Sequence, residues 1–165
     1  MSSTTSSLRG AAAITEAFHQ RKQNGGKVLV PYIMAGDPDL ETTGRLVKMM
    51  SQAGADVIEL GMPFSDPLAD GPVIQKAGQR ALQHGFTLKQ LLGHIKEWRK
   101  EVSTPIIIMT YYNLFFRFGL SEFAQAAADA GVDGVIVPDL PVEEAGDLFD
   151  ALDKQDLALV PLTAP

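Results

Sequence analysis

Apolar residues fall into two alternating patterns along this chain. Short continuous runs stand at Lys27–Ile33 (KVLVPYI), Val57–Leu60, Pro105–Met109 (PIIIM), Val135–Val137 and Leu157–Leu162. Runs of this length, rich in Val, Ile and Leu, predict strands buried on both faces. Between them apolar positions recur every three or four residues. That period predicts helices at Ala11–Gln23, Leu40–Gln52, Pro72–His84, from Thr87 onward, at Ser121–Ala130 and at Val142–Lys154. The signals at their ends agree. Asn24-Gly25-Gly26, Gly54, Gly85 and Gly131 close helices, and Asp37 or Asp39, Thr87 with Gln90, and Ser121 open them. The clearest face is Leu88, Leu91, Leu92, Ile95 and Trp98. In the first helix Ile14, Ala17 and Phe18 make the apolar side.

Strand and helix alternate, so the connections are parallel β-α-β units. Ala53-Gly54-Ala55-Asp56 before the second strand matches Ala130-Gly131-Val132-Asp133 before the fourth, an echo of one structural unit. Two α/β architectures fit: an open doubly wound sheet, or part of a (β/α)8 TIM barrel. A complete barrel takes about 250 residues and eight strands. Five strands in 165 residues would make the barrel an incomplete one of about five β/α units; either architecture is carried by residues 11–165 behind a disordered tail at residues 1–10.

Composition narrows the function more than the fold. A net charge of −6 argues against nucleic acid or an anionic membrane surface as partner. With no cysteine there is no disulfide, thiolate ligand or thiol nucleophile. No apolar run approaches the roughly 20 residues of a membrane span. The polar start, MSSTTSSLRG, lacks the apolar core of a secretion signal. A cytoplasmic location is expected, with organelle import left open by the Ser/Thr-rich start.

In either architecture functional groups gather at the carboxyl ends of strands. Those ends carry Asp37, the stretch Glu59–Asp70, Tyr111, Asn113 and Asp139. The pool holds carboxylates, a phenol and an amide, and no histidine. It favours carboxylate acid–base chemistry over a His-based triad or a zinc site; His19, His84 and His94 fall on helices and face solvent. Glu59 stands inside an apolar strand, where an unpaired carboxylate is costly, so it is either catalytic or half of a buried ion pair. Asp70, two residues before Pro72, is either a second catalytic carboxylate or a helix cap. Asp66 before Pro67 reads as a turn residue, Asp139 as either a functional group or only a charge at a helix start, and Asn113 as a polar residue in an aromatic run, free to meet a partner.

The stretch ELGMPFSDPLADGP at Glu59–Pro72 closely resembles the signature of the tryptophan synthase alpha chain family. PYIMAGDP at Pro31–Pro38, MTYYNLFFRFG at Met109–Gly119, AGVDGVIVPDLPVEE at Ala130–Glu144 and VPLTAP at Val160–Pro165 resemble the same family in the same order. Met34 and Pro138 depart from it, standing where many relatives carry Thr and Ala. The resemblance implies a (β/α)8 barrel that cleaves indole-3-glycerol phosphate to indole and glyceraldehyde 3-phosphate without metal or cofactor. It implies that Glu59 is the acid–base carboxylate and that Asp70 bonds the indole N–H. Tyr32, Met109 and Ile136 become walls of the indole site. Asp66, Asn113 and the segment near Asp139 become the face that meets a beta chain, which holds pyridoxal phosphate, in an alpha2beta2 tetramer. The family's phosphate grip comes from strands six to eight, outside these 165 residues. The expectation is therefore an amino-terminal part with both carboxylates but little activity alone; the alternative is a module that mainly binds the beta chain.

Overall fold

The computed structural model describes residues 8–162. The elements run α1 (Gly10–Gln23), β1 (Tyr32–Met34), α2 (Leu40–Gln52), β2 (Ile58–Gly61), α3 (Pro72–Leu82), α4 (Leu88–Trp98), β3 (Ile106–Met109), α5 (Tyr112–Phe118), α6 (Leu120–Ala130), β4 (Gly134–Ile136), α7 (Gly146–Asp153) and β5 (Ala158–Val160). The strands form one parallel sheet in the order β1-β2-β3-β4-β5. Each chain neighbour is also a sheet neighbour, the order of a barrel wall and not of a doubly wound sheet, which reverses direction.

Two apolar layers hold the sheet. Helices α2, α4, α6 and α7 pack side by side over one face. The five α4 residues singled out by their spacing are all buried there with Ile58, Leu60, Ile106, Ile108 and Val135. Burying each such Leu or Ile stabilises the fold by roughly 1.5–3 kcal/mol. The start of α4 is fixed by the expected capping box between Thr87 and Gln90. The other face is smaller: Val57, Ile107 and Ile136, with Met109 and Val160, meet Ile14 and Ala17 of α1. Gly134 makes that approach possible, because a Cβ there would lie 2.8 Å from the Ala158 carbonyl and 3.2 Å from Ile14.

Several expectations change in detail. The run from Lys27 pairs as a ladder only at Tyr32–Met34, and Leu29 and Val30 are exposed. Pro31 has no N–H to give, so its carbonyl accepts from Glu59 N–H (2.9 Å) without a return bond. Phe18 is exposed, since α1 turns only one narrow stripe toward the sheet. The aromatic run after β3 winds into α5. Gly119, at φ 92°, then caps α6 where Ser121 was expected to. Helix Val142–Lys154 divides into a 3-10 turn at Val142–Glu144 and α7. β5 spans three half-buried residues, and Leu162 is exposed. Asp39, not Asp37, caps α2, accepting from Thr42 N–H at 2.6 Å. The tail expected at residues 1–10 lies outside the described residues up to residue 7, and α1 begins at Gly10. The end of VPLTAP, residues 163–165, lies outside them too. Among the described residues no helix is long and apolar enough to cross a membrane.

Candidate functional site

Parallel register sets side chains in rows across the sheet. One row is Tyr32, Glu59, Ile107, Gly134 and Ala158; the next toward the carboxyl ends is Met34, Gly61, Met109, Ile136 and Val160. Paired residues in parallel strands share a face, and alternate residues return to it. Tyr32, Glu59, Met109 and Ile136 therefore stand together on the face opposite α2, α4, α6 and α7. Gly61 matters in this group. A Cβ on it would lie 2.0 Å from the Tyr32 hydroxyl, so only glycine leaves the phenol its place.

Glu59 is half-buried and takes part in none of the ion pairs among the described residues. Burial pushes its carboxyl above the ordinary range. That removes the alternative of a buried ion pair. Asp70 is half-buried at the end of the β2–α3 loop. Burial pushes its carboxyl up too, against the opposing pull of the nearby Tyr111 hydroxyl. Its side chain does not cap α3, whose N-cap is Gly71 with no side-chain bond. Tyr32 feels both acids. Burial, then the charges of Asp70, Glu59 and Tyr111, push its phenol far above the ordinary value, so it stays protonated. Its hydroxyl finds only a thioether, Met34 Sδ at 4.0 Å.

The loop that carries Asp70 is held at several points. Thr110 Oγ1 donates to the Met62 carbonyl (3.1 Å), and Met62 N–H to Met109 (2.9 Å). Gln75 Nε2 donates to the carbonyls of Asp70 (2.9 Å) and Pro67 (3.3 Å). Ala69 N–H donates to the Tyr111 hydroxyl at 2.9 Å, and the Tyr111 ring stacks on Phe64 with centroids 5.1 Å apart. Neither Gln75 nor the Tyr111–Ala69 bond was legible in the sequence, because both depend on how the loop folds back.

The remaining candidates sit apart from this cluster. Asp37 is bound by Arg80 through two bonds of 2.9 and 2.6 Å, which ties α3 to the loop before α2. Asp66 and Asn113 are exposed. Asp139 is exposed as well, and its carboxylate accepts from Tyr112 N–H at 2.9 Å, capping α5 and not the helix that follows it. His19, His84 and His94 face solvent as expected. No three His, Asp or Glu side chains among the described residues gather as a metal site.

The geometry is thus two carboxyls of raised pKa, free of cations, beside apolar walls at the carboxyl end of a parallel sheet. Such a site suits proton transfer to and from a substrate held against apolar walls. The profile of the family described as tryptophan synthase alpha chain matches residues 18–165. The tryptophan synthase alpha chain of Caldanaerobacter subterraneus is 45% identical over 152 residues, 92% of this chain and 58% of that protein. That of Methanosarcina acetivorans is 49% identical over 156 residues, 94% and 57%. The crystal structure of tryptophan synthase subunit alpha from Legionella pneumophila superimposes with a TM-score of 0.87 at 42% identity, covering 92% of this chain and 57% of that one. A chain of the tryptophan synthase a2b2 complex of Pyrococcus furiosus does so with a TM-score of 0.80 at 43% identity, covering 84% and 58%. The chain therefore spans somewhat over half the length of the relatives it matches. Over that span it forms the five-stranded part of their barrel, and the chain belongs to the tryptophan synthase alpha chain family.

Proposed function

We propose that this chain supplies the acid–base pair for cleaving indole-3-glycerol phosphate to indole and glyceraldehyde 3-phosphate, a lyase reaction of tryptophan biosynthesis. The observation that carries the reading is the pair Glu59 and Asp70, both half-buried, both raised in pKa and neither held by a cation. A carboxyl kept protonated by burial is suited to protonate indole C3. That step leaves a positive charge on the ring nitrogen. Asp70, which the nearby Tyr111 hydroxyl favours in its ionised form, accepts the nitrogen's N–H and stabilises the charge. Glu59, now a carboxylate, takes the proton of the glycerol hydroxyl next to the ring. The carbonyl forms, the carbon–carbon bond breaks, and its electron pair returns to the ring and neutralises the nitrogen. Tyr32, Met109 and Ile136 wall the ring, and no cofactor enters the step.

The test is indole release by the native protein expressed from its own gene. Glu59→Gln and Asp70→Asn are each expected to lower kcat by about 10²–10⁴-fold. Full turnover in either variant overturns the role of that residue.

A second reading rests on a separate observation. Asp66 and Asn113 stand on an exposed rim with Leu68 at 85%, Val73 at 76% and Phe116 at 65% exposure. Apolar side chains this open, rimmed by polar ones, mark a protein-binding face. We propose that this rim, with the Asp139 segment, meets a pyridoxal phosphate-dependent beta chain in an alpha2beta2 assembly. Titration against a beta chain is expected to give a complex that Leu68→Asp weakens at least tenfold; no binding by the native protein overturns it.

A further inference from the structure

Asp70 lies on a loop, yet the proposed chemistry needs its carboxylate in one place. The loop from Met62 to Gly71 has no helix or strand of its own. Among the groups that reach it from outside is Tyr111, just past the end of β3. The phenol is 5% exposed, its ring is fixed by the stack on Phe64, and its oxygen accepts the N–H of Ala69, the residue before Asp70. A phenol oxygen that accepts there has its own proton left to give. From the other side Gln75 holds the Asp70 carbonyl. The backbone on both sides of Asp70 is therefore pinned, and the phenol that pins it keeps a proton to give.

We propose that Tyr111 is a positioning residue for Asp70: one hydroxyl fixes the loop through Ala69 and donates to the Asp70 carboxylate. The proposal rests on the reading of Asp70 given above. Its consequence is electrostatic as well as steric. A donor to the ionised form favours that form, so the Tyr111 hydroxyl keeps Asp70 charged in a site whose burial works against it. Tyr111 itself stays neutral, pushed up by burial and by the charge of Asp70, with the Ala69 bond opposing.

Tyr111→Phe keeps the stack on Phe64 and removes only the hydroxyl. In the native protein it is expected to lower kcat for indole release about tenfold and change KM less than twofold. The acidic limb of the kcat profile, where Asp70 must ionise, is expected to move to higher pH. In an Asp70→Asn background the same change is expected to cost nothing further in kcat. Should Tyr111→Phe fail to fold, 3-fluorotyrosine at this position keeps ring and hydroxyl, makes the phenol a stronger donor, and is expected to move that limb to lower pH. A limb that stays put in whichever of the two variants folds overturns the proposal, as does an equal kcat loss with and without Asp70. Asp70→Asn alone separates the readings. If it keeps full turnover, the role of Asp70 is wrong; if it loses turnover while the limb stays put, only the positioning is wrong.

Discussion

Four notable carboxylates belong to the sheet and its loops, two at its amino rim and two on β2 and the loop beyond it, and they are treated in opposite ways. At the amino rim, Asp56 and Asp133 stand in the repeated Ala-Gly-X-Asp sequences. Each accepts a backbone N–H from the neighbouring chain, Leu29 ahead of β1 for Asp56 and Ile106 at the start of β3 for Asp133, both at 2.8 Å. Each is met by an arginine that also donates to the carbonyl of the motif's own glycine: Arg21 to Gly54 at 3.1 Å, Arg99 to Gly131 at 2.7 Å. On β2 and the loop beyond it, Glu59 and Asp70 have no arginine or lysine partner among the described residues. The contrast follows from what each group is for. A carboxylate that joins strands is best fully bonded, while one that must exchange a proton has to stay reactive, at some cost in stability. The two amino-rim sites differ most in depth. Asp133 and Arg99 have side-chain exposures of 0% and 7%, Asp56 and Arg21 of 11% and 43%.

Breaking the deeper pair has the largest expected effect. Asp133→Asn leaves the Arg99 guanidinium buried without its counter-charge and is expected to cost about 3–5 kcal/mol in urea unfolding. A loss below about 1 kcal/mol would remove the distinction between a bonded rim and a reactive one. Asp56→Asn breaks the same motif near solvent and is expected to cost about 1 kcal/mol, as a shift in melting temperature. Glu59→Gln should go the other way. Because burial raises the folded-state pKa of Glu59, the folded protein binds this proton more tightly than the unfolded chain. Wild-type stability then falls as pH climbs from the ordinary carboxylate pKa through the raised one. Glu59→Gln lacks that fall and is expected to be the more stable at neutral pH, by less than about 1 kcal/mol. Melting curves at acidic and neutral pH check the sign; a destabilised variant at neutral pH would place Glu59 with the bonded carboxylates.

Different parts of this architecture were legible for different reasons. Helix α2 was readable to the residue, because Asp39 and Gly54 bracket a strong apolar period, and α4 because its capping box and its five-residue face agree. Glu59 was readable as an anomaly, a charge within an apolar run. Asp70 was readable only through its signature, since an Asp before Pro-led helices is ordinarily a cap. The motif echo pointed at Asp56 and Asp133, but not at Arg21 and Arg99, which lie 35 and 34 residues away from them. No local pattern encodes such pairs; they exist once the strands are side by side. The short strand β1 was hidden by Leu29 and Val30, apolar residues that composition alone cannot sort into sheet or surface.

Asp133 also accepts the N–H of Gly10 at 2.7 Å, a bond between residues 123 apart in the chain. Gly10 holds φ 65°, and a Cβ there would lie 2.1 Å from the Asp156 carbonyl, so the first turn of α1 is seated tightly on β4 and the approach to β5. A contact spanning that much chain costs more loop-closure entropy than the neighbouring β-α-β pairings do, by about 1 kcal/mol on logarithmic scaling. Folding should therefore zip up the sheet first and seat the first helix last. The Gly10 amide then becomes a clock: its hydrogen exchange reports when the two distant ends of this sequence have met.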